Sequence, residues 1–166
     1  MMVGRVSTVF VGGVLAASVA LSLIHPWGDV RNVDARGELL RGSDVPEEVR
    51  QVLENKCADC HSNRTHWPVY SRLAPGSWLV ERDVSRGRAA MDFSRWESMR
   101  TEERIDALSR IASEVRTKEM PPAPYSMMHP TRHVSDLERQ EIAAWARAER
   151  RRLRSAAETQ KETNGQ

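Results

Sequence analysis

The chain has 166 residues, and its 25 basic and 23 acidic side chains leave a formal net charge of +2. That length holds one small domain with appendages, and a composition 40% hydrophobic and 29% charged excludes a disordered or collagen-like chain. Near-balanced charge argues against nucleic-acid binding, and two cysteines are too few for a disulfide scaffold.

Residues 6–24 carry no charge. As a helix they span roughly 28 Å at ~1.5 Å per residue, close to the hydrocarbon thickness of a bilayer. Arg5 supplies a positive flank, Trp27 suits the bilayer interface, and Leu23-Ile24-His25 lacks the small residues of a cleavage site. The earlier Ser18-Val19-Ala20 offers a site only by shortening the apolar run. The expectation is an uncleaved single-pass anchor over 1–28. Gly12, Gly13, Ala16, Ala17 and Ala20 would also let another helix approach closely. Arg31, Arg36 and Arg41 follow the run, so basic counts alone do not favour export.

Residues 29–43 read as a connector, broken by Gly37 and Gly42-Ser43. A helical domain is expected over 44–153. Its first helix is capped by Ser43 or Asp44, with Pro46, Glu47 and Glu48 in the first turn and Val45, Val49, Val52 and Leu53 facing inward. Residues 61–75 are turn-rich. A second helix covers Ser77 to about Ala90, and a short turn holds Phe93 and Trp96. A third begins after Thr101, with Ile105, Leu108, Ile111, Ala112 and Val115 on its inner face. Residues 118–134 form a loop rich in Pro and Met. The last helix opens with Ser135 and Glu138 in capping-box spacing and draws on Leu137, Ile142, Ala144, Trp145 and Ala148. Beyond Leu153, residues 154–166 are polar and expected to fray. No stretch alternates with a period of two, so the fold class is all-α.

Chemistry concentrates in Cys57-Ala58-Asp59-Cys60-His61. Two thiols three positions apart, with His directly after the second, can join both vinyl groups of one haem while the imidazole reaches the iron. Cys57 and Cys60 would carry thioethers of a single covalent haem c, with His61 as the proximal ligand. Zinc held by Cys57, Cys60, His129 and His133 is the competing arrangement, but Pro130 interrupts the His pair. A thioredoxin-like pair would need a preceding strand. A distal iron ligand is expected from the Met-rich loop, with Met120 foremost and Met127, Met128 or His129 as alternatives. His66 stands too close in sequence to His61 to reach the opposite face.

These residues resemble a known family. Cys57 to Ser71, then Leu73-Ala-Pro-Gly-Ser-Trp-Leu-Val80, is similar to the small bacterial haem-binding domain family of cytochrome c type. Glu119-Met120-Pro121-Pro122, Tyr125 and His129-Pro130 look like its second block, so the resemblance covers about residues 45–149. It implies that Met120 is the distal ligand and that Trp67, Tyr70 and Trp78 wall the haem. Val69 departs from the aromatic expected there.

Together these features predict a class I cytochrome c-like haem domain behind one transmembrane helix, on the outer side of a bacterial cytoplasmic membrane. The expected role is single-electron transfer with redox partner proteins, without enzymatic turnover. A haem sensor or accessory subunit of a membrane complex is the alternative. A peroxidase-like enzyme would need an open iron and a distal acid–base pair that nothing in the sequence singles out. Arg147, Arg150, Arg151, Arg152 and Arg154 give the last helix a basic end, suited to its dipole or to an acidic partner.

Overall fold

The computed structural model describes residues 2–31 and 38–164, leaving aside the side chains of residues 2–8. The Arg5 flank, and Asp34, Arg36 and Gly37 of the connector, therefore lie outside the described residues. The described elements are helical: α1 Met2–Leu21, α2 Glu47–Lys56, α3 Ala58–His61, α4 Gly76–Ala90, α5 Thr101–Arg116, α6 Ala123–Met128 and α7 Asp136–Asn164. Three short 3-10 turns, Val69–Arg72, Phe93–Ser98 and Pro130–Arg132, join them.

The core forms where α5 lies antiparallel to α7. Arg139 near the start of α7 donates to the Val115 carbonyl at the end of α5 (3.0 Å), while Arg150 reaches Ser109 Oγ (3.0 Å). Leu108, Ile111, Ala112 and Val115 meet Ile142, Ala143, Trp145, Ala146 and Leu153 in one buried cluster. Helix α2 adds Val49, Val52 and Leu53, and the Phe93–Ser98 turn adds Phe93 and Trp96. Lys56 Nζ donates to Glu138 at 2.7 Å, and Trp145 Nε1 donates to the Asp44 carbonyl at 2.8 Å. The helix before the cysteines thus lies on the last helix.

Several local expectations shift. Pro46 stands just before α2 rather than inside its first turn, and no side chain caps it. The 118–134 segment is not an open loop; Pro122 precedes α6 in an extended conformation, and Pro124 sits in its first turn, where a missing N–H costs no intrahelical bond. The Ser135–Glu138 capping box forms, with Ser135 N donating to Glu138 at 2.7 Å and Glu138 N to Ser135 Oγ at 3.3 Å. Leu137, Ala144 and Ala148 are exposed, on the side of α7 away from α5. Helix α7 runs on to Asn164, because residues 154–163 hold good helix formers and neither Gly nor Pro.

Helix α1 stops at Leu21, so Ser22, Leu23 and Ile24 leave the helix that the apolar run suggested. Among the described residues no helix is long and apolar enough to cross a membrane. The end of α1 instead docks on the domain. Ser18 Oγ donates to the Ala74 carbonyl, and Ala74 N donates to Ser22 Oγ at 2.8 Å.

Candidate functional site

The attachment turn begins where α2 ends. Cys57 N still bonds the Leu53 carbonyl (3.0 Å), so the turn inherits its direction from a helix fixed in the core. Helix α3 then carries Ala58 to His61, with Ala58 buried. Ser62 Oγ donates back to the Ala58 carbonyl (2.7 Å) and Thr65 Oγ1 to the Asp59 carbonyl (2.6 Å), folding the chain under the turn. From outside, Arg88 of α4 donates to the Ser62 carbonyl (2.8 Å) and to Thr65 Oγ1 (3.1 Å).

The His61 ring is oriented by two neighbours. Its Nδ1 lies 3.0 Å from the Met91 carbonyl, and the ring stacks on Phe93 with centroids 5.7 Å apart. A carbonyl oxygen only accepts, so Nδ1 carries the proton and Nε2 keeps its lone pair. Burial holds the imidazole below its ordinary pKa, which favours that neutral form. A histidine held by one nitrogen and free at the other is the usual geometry of a metal ligand.

Both cysteines are unpaired thiols. Cys57 packs against the core, where burial and then the neighbouring Cys60 push its pKa up to about 12. Cys60 is also pushed up to about 12, by burial first and then by the Asp59 and Asp83 charges.

Cys60 lines a cavity of about 190 Å3 between α4 and α6. Leu79, Val80 and Val84 of α4 form one apolar wall; Pro122, Pro124 and Met128 form the other. Asp59, Tyr70, Tyr125 and His129 bring polar atoms to it. His129 Nδ1 faces the Tyr125 carbonyl (3.0 Å), so it donates there and Nε2 accepts from Tyr70 OH (3.2 Å). Tyr125 and His129 stack with centroids 4.3 Å apart.

The expected site residues are therefore distributed unevenly. Cys60 and Tyr70 line the cavity, as do Met128 and His129, whereas Met120 and His61 are not among its lining residues. Met120 is half-buried at its edge of the fold, its carbonyl held by Arg139 Nη1 at 2.8 Å. Trp67 and Trp78 contact the N-terminal segment. The Arg31 guanidinium lies 4.1 Å over the Trp67 ring, and Trp78 Nε1 donates to the Ile24 carbonyl at 2.8 Å. Met127 is exposed, and His66 points to Asp59. Among the described residues no three His, Cys, Asp or Glu side chains gather as a metal site, so the zinc arrangement of Cys57, Cys60, His129 and His133 is not formed.

Sequence reasoning missed Glu81 and Asp59. Glu81 of α4 is 1% exposed and receives His25 Nδ1 and Arg31 Nε, each at 3.2 Å. Asp59 stands inside the attachment motif; its position between the cysteines was the available signal.

The donor set fits a haem held through thioethers. Two neighbouring thiols, an imidazole whose Nε2 keeps its lone pair and an apolar wall beside Cys60 are what such a group needs. At about 190 Å3 the cavity beside Cys60 is smaller than the ~300–1,000 Å3 of pockets for drug-sized ligands.

Comparison with known proteins points to haem binding. Over 156 residues the chain is 25% identical to the cytochrome c peroxidase Ccp of Escherichia coli (strain K12), a match covering 90% of this chain and 33% of that protein. The chain thus spans about a third of the relative's length. No solved structure matches. The model of the haem-binding domain family matches residues 16–148, which takes in the attachment turn, the cavity and most of the core. The chain belongs to the haem-binding domain family.

Proposed function

We propose that this protein is a membrane-tethered monohaem c-type cytochrome that passes single electrons outside the cytoplasmic membrane. The observation that carries the reading is the His61 ring, fixed through Nδ1 by Met91 so that Nε2 keeps its lone pair, directly after two unpaired thiols. When bound, haem supplies a one-electron iron couple. Cys57 and Cys60 would hold the ring edge, and His61 Nε2 would ligate from the proximal side. Met120 would come from the distal segment to the other face, favouring a higher potential than a second histidine. The Pro- and Met-lined wall of α6 keeps water from the ring. The crossing of α2 with α7 supports a class I cytochrome c-like arrangement.

The tether reading is supported by the apolar side chains that α1 and the next residues leave uncovered: Val9, Phe10, Val14, Leu15, Val19, Leu23 and Ile24 are all exposed. An apolar stripe of this extent marks an interaction or membrane surface. Covalent attachment of haem would put the domain on the outer side.

The test is expression with c-type maturation machinery, followed by haem staining of a denaturing gel beside a Cys57→Ala/Cys60→Ala control. A stained band that disappears in the control, with a reversible one-electron wave in the holo-protein, is the expected result. An unstained wild-type band removes covalent attachment. Flotation of the full chain with vesicles, lost on deleting residues 2–21, checks the tether.

A second reading has one observation in its favour. The relative that the chain matches over a third of its length is named a cytochrome c peroxidase. We therefore also propose an accessory role, in which this domain delivers electrons to a separate haem enzyme and performs no turnover itself. Stoichiometric co-purification of a partner in mild detergent separates this from a free carrier.

A further inference from the structure

The side chain of Asp59 is almost covered, although it projects from a four-residue helix at the surface end of the attachment turn. Its Oδ1 accepts from His66 N at 2.9 Å and faces His66 Nδ1 at 3.0 Å. Its Oδ2 accepts from Tyr125 OH at 3.1 Å and lies 3.5 Å from Arg132 Nη2. Tyr125 belongs to α6, and Arg132 to the 3-10 turn after it. One carboxylate between the cysteines therefore grips both halves of the segment that follows Met120.

Neighbouring bonds run the same way. The Arg132 guanidinium also donates to the Asn55 carbonyl, and Lys56 Nζ donates to the His133 carbonyl at 2.7 Å. Tyr125 in turn carries His129, which holds Tyr70 across the cavity mouth. Burial, then the Asp59 charge, raises the Tyr125 phenol above its ordinary pKa, so it stays a donor. Bonds to an ionised acceptor are the stronger kind.

We propose that Asp59 is a positioning residue: it clamps segment 121–134 onto the attachment turn and so governs how readily that segment leaves the distal side of a bound haem. The second half of this statement rests on the covalent-haem reading above. The spacer between the two cysteines is then not a neutral filler. It couples the side of the site that holds the ring to the side that closes over it.

The test uses the full chain. Hydrogen exchange is followed at the Ser126, His129 and Arg132 amides, whose bonds hold α6 and the next turn. Asp59→Asn and Tyr125→Phe are compared with Glu97→Gln, which removes a charge from the exposed Arg41–Glu97 pair without touching the clamp or the cavity. The expected result is roughly tenfold faster exchange in the first two variants, the size of losing about one charge-assisted hydrogen bond, and an unchanged rate in the third. In haem-loaded protein, carbon monoxide binding to the reduced iron accelerates in the same two variants. Wild-type exchange in Asp59→Asn, or equal acceleration in Glu97→Gln, overturns the clamp. If Asp59→Asn does not fold, Tyr125→Phe decides alone. An unstained wild-type gel overturns the haem reading, while the exchange rates still decide the clamp.

Discussion

Gly87 of α4 lies against the backbone of Cys60 so closely that a β-carbon would stand 2.4 Å from the Cys60 carbonyl oxygen and 2.9 Å from its carbon. Helix and attachment turn touch main chain to main chain, and only glycine permits it. The obstacle is backbone, so no side-chain rotation relieves it. Gly87→Ala is expected to push α4 away and cost about 1–3 kcal/mol, in the range of overpacked sites. Thermal melting measures the loss, and a fainter haem-stained band at equal protein shows that the turn itself has moved. Unchanged melting would mean that α4 adjusts freely.

The thiols give a pH-dependent prediction for haem-free protein. Both are raised from 9.0 to about 12, so the fold favours the neutral form. Below pH 9 the thiols are protonated folded or unfolded, and the full contribution to stability is present. As pH rises from 9 toward 12 the unfolded chain ionises first, and stability falls. Denaturant unfolding across that window is expected to show the loss in haem-free wild type and not in Cys57→Ser/Cys60→Ser. Alkylation of the folded thiols at pH 8 should run on the order of a thousandfold slower than in the unfolded chain, since the thiolate is the nucleophile.

His61 acts on the acid side. Its lowered pKa means that the folded protein resists taking a proton that the unfolded chain accepts below 6.5. Haem-free protein is therefore expected to lose stability as pH falls below 6.5, and His61→Gln to flatten that limb. Acid titration followed by circular dichroism reads it directly.

His129 and Met120 separate in a ligand test. Both His129 nitrogens have protein partners, Tyr125 and Tyr70, whereas no hydrogen bond engages the Met120 side chain among those formed in the fold. Met120→Ala is expected to lower the midpoint potential of the holo-protein and abolish its sulfur-to-iron band, while His129→Ala preserves both. The reverse pattern would assign the distal position to His129. Redox titration with absorption spectra distinguishes them.

The Glu81 cluster predicts an asymmetry. Among the described residues Arg31→Ala leaves a 1%-exposed carboxylate with His25 alone, and breaking such a buried pair costs about 3–5 kcal/mol. Glu81→Gln leaves its partners near water and keeps an acceptor, so about 1–2 kcal/mol is expected. Denaturant midpoints of the two variants check the order.

Much of the fold was readable because its signals are local. Leu108, Ile111, Ala112 and Val115 recur at helical spacing, and Ser135–Glu138 is a cap made by neighbours in sequence. The Cys57–Cys60–His61 spacing likewise announces its chemistry within five residues. Helix α6 was less legible, because prolines that break a helix interior also start one, and six residues carry no period. The family resemblance implied Trp67 and Trp78 as haem walls, but it does not carry the contacts they make here. Their partners, Arg31 and Ile24, lie far off in sequence, and only the three-dimensional fold brings them there. Glu81 was overlooked for the same reason: a lone acidic residue in a helix looks solvated until residues 25 and 31 fold over it.

Those same residues settle how the domain is carried. Ser18, Ser22, Ile24, His25 and Arg31 all bond to the segment 67–81, and Arg88 adds a bond to the Val30 carbonyl at 2.8 Å. The stretch after α1 is thus a bracket and not a leash. Whatever fixes α1 therefore also fixes which way the cavity faces.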